Sequence, residues 1–209
     1  MRRNRALPAS AMLLAALAAG CANEPVPRPR GYFRIDLPPD SAAAAQAPCP
    51  FSAEIPRYAH WVMGGASGAA DSGAACRADL LFPGQRAALH LTWRRIQGDL
   101  PELVRDAYEF KEKHEVVATR IRNEEVERDS SRVFGTLFLV EGNVASPVVF
   151  FLTDSTANFL YGALYFDVRP NADSLAPVTD RIRSDIRRLA HTLRWEGPPG
   201  AVQHVEHRR

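Results

Sequence analysis

Four stretches in the second half of the chain have the composition of strands, and the last three are apolar on both faces. They span residues 116–126, 133–141, 147–153 and 158–168, and Val, Phe, Leu and Tyr dominate the last three. The connections between them are short, which makes neighbouring strands antiparallel. A strand that is apolar on both faces needs cover on both sides. The pattern therefore predicts a sheet that forms the middle layer of the fold.

A helix near the C-terminus is predicted to cover one face of this sheet. Six apolar residues recur there at intervals of three or four, namely Leu175, Val178, Ile182, Ile186, Leu189 and Leu193. Asp173 or Ser174 can cap the N-terminus of this helix. We expect a solvated face on its opposite side, rather than a docking surface, from Arg181, Arg183, Asp185, Arg187 and Arg188.

A second predicted helix covers the other face. Asp99 can cap it, with Pro101 in its first turn, and Leu103, Ala107 and Phe110 follow at helical spacing.

Shorter strands are expected at residues 31–37, 51–58, 78–82 and 87–96, whereas residues 41–48 and 64–75 read as loops. The predicted fold is therefore α+β, an antiparallel sheet flanked by two α-helices. The order of elements is like that of the PsbP/Mog1 group, an analogy of fold that carries no function.

The N-terminus has the layout of a secretory signal. Arg2, Arg3 and Arg5 precede an uncharged stretch that ends at Gly20 and is too short to span a bilayer with margin. Small residues then lead directly into Cys21, an arrangement that looks like a bacterial lipobox. In such a signal the Cys21 thiol receives a diacylglycerol and becomes the acylated first residue. A plain signal peptide is the alternative.

These features divide the chain into a signal peptide (1–20), a Pro-rich tether (21–30), a single α+β domain (31–196) and a disordered tail (197–209). Removal of the signal lowers the number of basic side chains from 26 to 23, against 24 acidic ones. Nucleic-acid binding needs a basic surplus and is not expected. Ala22 is not the Asp that retains lipoproteins in the inner membrane, so the outer membrane is favoured.

Cys49 and Cys76 would lie beyond the inner membrane, where disulfides persist. A bond between them would close a loop of roughly 28 residues. Two free thiols or half a metal site are the alternatives, but neither Cys has a second Cys or a His at ligand spacing. We favour the disulfide and expect no metal and no other cofactor.

The sequence lacks a nucleophile elbow, a His-Glu-x-x-His pair, a Cys-x-x-Cys pair and a dinucleotide fingerprint. Ser155 lies within residues 153–156, where a turn would use Asp, Ser and Thr for local backbone bonds. We therefore expect no catalytic residues and no enzymatic activity.

Two other classes of protein stay open. A lipid-anchored periplasmic protein for a small ligand would have a deep pocket lined by Tyr161, Tyr165 or Trp93. An envelope hydrolase would have a Ser or a carboxylate, within a cleft, beside His90, His114 or His191. His114 continues the stripe of the first helix, and we expect it at the edge of the core.

Several segments together resemble a known family. The leader is followed by Pro29-Arg-Gly-Tyr-Phe-Arg-Ile-Asp-Leu-Pro38, and later by Leu89-His-Leu-Thr-Trp93 and Ala145-Ser-Pro-Val-Val-Phe-Phe-Leu-Thr-Asp-Ser-Thr156. In this order they resemble the gliding-motility lipoprotein D (GldD) family of the Bacteroidetes over nearly all of the mature chain. The sequence departs from that family in the Gly/Ala-rich residues 64–75 and in its many arginines.

The resemblance implies a non-enzymatic outer-membrane lipoprotein that carries acyl chains such as palmitate at Cys21. It implies an accessory or stabilising role in gliding motility and type IX secretion, with other envelope lipoproteins of that machinery as partners. We expect the domain to face the periplasm. The candidate partner surface is the polar side of the strand at residues 31–37, formed by Tyr32, Arg34 and Asp36.

Overall fold

Ten strands and two helices lie along residues 36–64, 75–115 and 118–196, the part of the chain that the computed structural model describes. The strands are β1 Ala42–Gln46, β2 Phe51–Pro56, β3 His60–Met63, β4 Ala75–Phe82, β5 Ala87–Arg95, β6 Arg120–Arg128, β7 Val133–Glu141, β8 Val148–Thr153, β9 Asn158–Phe166 and β10 Arg194–Trp195. The helices are α1 Leu100–Glu115 and α2 Ala172–Thr192.

Seven strands form one antiparallel sheet in the order β3-β4-β5-β9-β8-β7-β6. The two-sided apolar strands β7, β8 and β9 are neighbours in it, and every residue of β8 is buried. On one face the apolar stripe of α2 joins a core with Phe150, Leu152 and Leu160. On the other face Leu103 and Ala107 of α1 pack with aromatic residues of β7, β8 and β9. This arrangement confirms the α+β fold with the sheet as its middle layer.

A second, three-stranded sheet in the order β1-β2-β10 lies on the α2 side, because Phe51, Ala53 and Ile55 of β2 join the same core as α2. Its edge strand β1 corrects the prediction of a loop at residues 41–48. Alanine has little preference for strands, so the pairing with β2 and the packing of Ala45 on the core select the extended backbone. The strand predicted at residues 31–37 lies outside the described residues up to Ile35, and Asp36 and Leu37 are not in a strand.

The predicted solvated face of α2 is also wrong. Arg183 and Asp185 are buried, with only 9% and 3% of their surface exposed. The other arginines of this face make ion pairs with residues from distant parts of the chain. Tertiary contacts explain why this face is not solvated, because the segment before β1 and the strand β6 both pack beside it.

The caps of the two helices differ in part from the prediction. Asn171 caps α2, since its side-chain oxygen accepts the N–H of Ser174 at 3.2 Å, so neither Asp173 nor Ser174 is the cap. At α1, Asp99 directly precedes the helix as predicted, but its carboxylate accepts the N–H of Gln97 at 2.8 Å.

Gly162 allows β8 and β9 to pack tightly at the centre of the sheet. The ring of Phe150 lies directly over it, and a Cβ added at Gly162 would come within 2.3 Å of that ring. A glycine at this register position therefore lets a fully buried aromatic side chain fill the core.

Candidate functional site

The segment that enters the fold is held on the outer face of α2 by two arginines. Arg181 donates a hydrogen bond to the carbonyl of Pro38 at 3.0 Å. Arg188 donates to the carboxylate of Asp40 at 2.9 Å. The bond and the charge of Arg188 lower the pKa of Asp40 below its ordinary value. These contacts fix the point at which the N-terminal segment reaches the folded body.

A buried carboxylate lies beneath these contacts. Asp185 accepts a short hydrogen bond from the Tyr58 hydroxyl, and Arg181 and Arg188 approach it at 3.8 and 4.0 Å. Burial raises the pKa of Asp185, although the Tyr58 bond and both arginines act in the opposite direction. Burial, followed by the bond to Asp185, also raises the pKa of Tyr58. We call these residues, together with Pro38 and Asp40, the junction cluster.

Two further arginines tie α2 to the sheet. Arg187 makes a bidentate contact with Glu124 of β6, at 2.6 and 2.7 Å, and this contact lowers the pKa of Glu124. Arg183 donates to the carbonyl of Val140 at 2.9 Å. Arg183 and Arg187, which the sequence predicts on a solvated face, are therefore used to hold α2 on the sheet.

A disulfide joins Cys49, before β2, to Cys76 in β4, with a Cα–Cα distance of 5.7 Å. It links the three-stranded sheet to the seven-stranded one.

The described residues contain only part of the other expected sites. Cys21, Tyr32 and Arg34 lie outside them, as does the side chain of His114. Asp36 is exposed and is the first described residue, two positions before the junction cluster begins. The sequence carries no local signal for the cluster itself, because its bonds to Tyr58, Pro38 and Asp40 join residues 127 to 148 positions apart.

The hydrolase alternative can be compared with the surroundings of two histidines. His90 has a carboxylate beside it, since it is paired with Asp79 at 2.8 Å, but the described lining of the surface depression at His90 contains neither Asp79 nor a Ser or Cys. His191 lines a cavity of about 290 Å³ together with Ser52 and Glu54. Within residues 36–64, 75–115 and 118–196, no hydrogen bond joins His191 to either of them.

The small-ligand alternative needs a deep pocket at the aromatic residues. Tyr161 lines a cavity of about 240 Å³ between α1 and the sheet, and Tyr165 lines a separate depression. Trp93 is buried and donates to Asn158 at 3.0 Å. The three residues are not brought together. The cavity at Tyr161 is smaller than ordinary ligand sites of about 300 Å³ and above, and the depression at Tyr165, of about 370 Å³, contains neither Tyr161 nor Trp93 in its described lining.

The turn between β8 and β9 is explained by local bonds, as the sequence predicts. One carboxylate oxygen of Asp154 accepts the N–H groups of Thr156, Ala157 and Asn158 at 2.7–2.9 Å. Ser155 adopts a left-handed backbone with φ of 65° and donates its N–H to Thr153. Ser155 therefore has a structural role in a tight turn.

The described part of the chain contains no group of three or more residues suited to hold a metal ion. None of its helices combines the length and the apolar character needed to cross a bilayer.

The described residues define an α+β protein whose buried charges hold its own segments together. The model of the family described as gliding motility lipoprotein GldD matches residues 22–195, most of the chain. The chain belongs to this family, which implies a role in gliding motility, a lipid anchor and a place at a membrane of the cell envelope. No curated protein and no solved structure matches the chain.

Proposed function

We propose that this protein is an outer-membrane lipoprotein that faces the periplasm and supports the gliding-motility and type IX secretion machinery through protein–protein contacts. In this role Cys21 carries the acyl chains, and the folded body is an accessory that stabilises other envelope lipoproteins without catalysing a reaction. The observation that carries the proposal is the family match, which begins at residue 22, directly after Cys21.

The junction cluster supports a role in contact rather than in chemistry. It holds Pro38 and Asp40, which precede β1, on α2, and its arginines are engaged in these contacts within the fold. Several acyl chains, at about 0.8 kcal/mol for each buried CH₂ group, would make the anchoring effectively permanent.

The lipid anchor is tested by complementing a deletion strain with the wild-type gene or with Cys21→Ser. We expect Cys21→Ser to lack the acylated N-terminus by mass spectrometry, to leave the outer-membrane fraction and to lose gliding and secretion. Ala22→Ser is the matched control, because it changes the residue next to Cys21 but keeps the lipid site and the disulfide. An unmodified wild-type N-terminus, or normal gliding and secretion of Cys21→Ser, would contradict the proposal.

The partner surface at Tyr32, Arg34 and Asp36 is part of the same proposal. Asp36, the member of this surface that the structure describes, is exposed two positions before the junction cluster. Arg34→Ala and Asp36→Ala should alter the proteins captured by crosslinking in envelope membranes. Asp167→Ala, whose side chain is 87% exposed beyond β9, is the control. Unchanged capture with both test variants would exclude this surface.

A further inference from the structure

A cavity of about 290 Å³ at the C-terminal end of α2 collects basic side chains. Arg128 of β6, His191 of α2 and Arg194 of β10 all line it. Glu54 of β2 is the one acidic residue in its described lining. The cavity therefore has an excess of positive charge, which favours an anionic ligand.

The ladder between β10 and β2 places Arg194 directly opposite Ser52. Side chains of directly opposite residues stand on the same face of a sheet, with their Cβ atoms about 5 Å apart. That face is the outer one, because Phe51 and Ala53, the neighbours of Ser52 in β2, are buried in the core, whereas Arg194 is exposed. A guanidinium and a hydroxyl therefore line the cavity next to each other.

The guanidinium of Arg128 is held close to Arg194. Arg128 donates to the carbonyl of Leu193, the residue before Arg194, at 2.9 Å. It also donates to the hydroxyl of Ser131 at 2.9 Å. Burial and then the positive charge of Arg194 lower the pKa of Arg128. The fold therefore keeps two arginine charges near each other at this cavity.

No carboxylate neutralises these two arginines in the part of the chain that the structure describes. Neither Arg128 nor Arg194 makes an ion pair there. The charge of Glu54 acts on Arg188 instead, whose pKa is raised first by the bond to Asp40 and to a smaller extent by Glu54. Like charges repel each other, so an anion bound between the two arginines would stabilise this end of α2.

The contacts of the fold account for Arg128 but not for Arg194. Arg128 binds the Leu193 carbonyl, one of the groups at a helix C-terminus that have no partner within the helix. The side chains of Arg194 and Ser52 make no hydrogen bond among the described residues. The N–H groups of Arg194 and the hydroxyl of Ser52 can therefore all bind a ligand.

We propose that this cavity binds a phosphate group. A phosphate carries about two negative charges and several acceptor oxygens, so it uses more donors than one arginine supplies. A carboxylate, by contrast, is satisfied by a single bidentate arginine. Arg194 would bind the phosphate through paired N–H groups, Arg128 would supply the second positive charge, and Ser52 would donate its hydroxyl.

Free phosphate and the headgroup of a phospholipid share this chemistry, and the test separates the two sources. The proposal goes beyond the proposed function. The cavity shares no residue with the junction cluster or with the partner surface at Tyr32, Arg34 and Asp36. Failure of the phosphate site would therefore leave the proposed function as it stands.

The test uses the full lipidated chain in micelles of a neutral maltoside detergent. Sodium phosphate is added at constant ionic strength, binding is measured by calorimetric titration, and stability by the midpoint of thermal unfolding. We expect saturable binding and a higher midpoint, because a ligand that binds only the folded state stabilises it. Sodium chloride at the same ionic strength should produce neither effect.

A second titration identifies the source of the phosphate group. Phosphatidic acid is added to the micelles, with diacylglycerol, which lacks the phosphate, as the matched control. If phosphatidic acid raises the midpoint at about a tenfold lower concentration than sodium phosphate does, the ligand is a lipid headgroup. If it does not, and sodium phosphate binds, the ligand is free phosphate. Either result supports the site.

Four variants test the residues that carry the proposal. Arg194→Gln removes a charge and paired donors and should weaken phosphate binding about tenfold. Arg194→Lys keeps the charge but not the paired geometry and should weaken it about threefold. Ser52→Asp places a carboxylate opposite Arg194 and should weaken it at least about tenfold. Arg169→Gln, which changes an exposed arginine outside the cavity, is the matched control and should leave the affinity unchanged.

The absence of saturable binding in both titrations would overturn the proposal. Equal affinities of wild type and Arg194→Gln would do so as well. An equal loss in Arg169→Gln, or an equal rise of the midpoint with sodium chloride, would show attraction by overall charge and would also overturn it. Arg194 is exposed, so its variants should fold, and an unchanged midpoint of Arg194→Gln without phosphate checks this directly.

Discussion

Replacement of Asp154 by Ala should destabilise the fold, because its carboxylate holds the turn between β8 and β9 together. One of its oxygens accepts three backbone N–H groups, and the other accepts the side-chain amide of Asn158 at 2.7 Å. Hydrogen bonds to a charged acceptor contribute at least about 1.5 kcal/mol each. Water can reach part of this turn, so we expect a loss of about 3 kcal/mol rather than the full sum for Asp154→Ala. Asp154→Asn keeps an acceptor oxygen and should lose about 1 kcal/mol.

The loss should depend on pH in a defined direction. Burial acts to raise the pKa of Asp154, but the N–H groups of Ala157, Asn158 and Thr156 outweigh it and lower that pKa. A carboxyl whose native pKa is lowered stabilises the fold above its unfolded pKa and loses this contribution as the pH falls through the native pKa. The difference between wild type and Asp154→Ala should therefore be full at pH 7 and shrink below about pH 4.

Urea denaturation followed by tryptophan fluorescence measures both effects. Trp93 is a suitable reporter because its indole donates to Asn158, which itself bonds Asp154. A loss below about 1 kcal/mol at pH 7 would refute the assignment of these bonds as the main support of the turn. An equal loss at pH 7 and pH 2.5 would refute the role of the ionised carboxylate.

Three further predictions use the same denaturation assay. Cys49→Ala should lower the free energy of unfolding by about 3.5 kcal/mol under oxidising conditions, because the disulfide closes a loop of roughly 28 residues. Wild type with reductant should lose the same amount, and a reduced wild type as stable as the oxidised one would contradict this. Gly162→Ala should lower the free energy of unfolding by about 2 kcal/mol, because the added methyl group would overpack against the buried ring of Phe150. Gly84→Ala has open space around it and should be close to neutral. Equal losses in the two variants would contradict this account of the packing. Tyr58→Phe removes a bond that favours the charged form of Asp185 and should cost about 2 kcal/mol at pH 7. The loss in Tyr58→Phe should be smaller at pH 4, because the raised pKa of Asp185 leaves less of its carboxyl ionised there and the Tyr58 bond favours the ionised form. A larger loss at pH 4 than at pH 7 would refute the argument.

Local patterns were sufficient to predict the layers of the fold. Residues of β7, β8 and β9 are apolar on both faces, and water must be excluded from both, so a sheet covered on two sides follows from the sequence. The stripe from Leu175 to Leu193 likewise predicts α2 as one cover, since its spacing matches the helical period. The turn at Asp154 was also predictable, because all its bonds lie within five residues.

Only the tertiary structure decided how the charged face of α2 and the alanines of β1 are used. Arg181 and Arg188 look like solvated residues in the sequence because Pro38 and Asp40 are more than 140 positions away. The alanines of β1 have no strand pattern of their own, and pairing with β2 determines their backbone. The hydrophobic period of a sequence reports which side of an element avoids water, but the partners of a charge or of a neutral backbone are set by which segments the folded chain brings together.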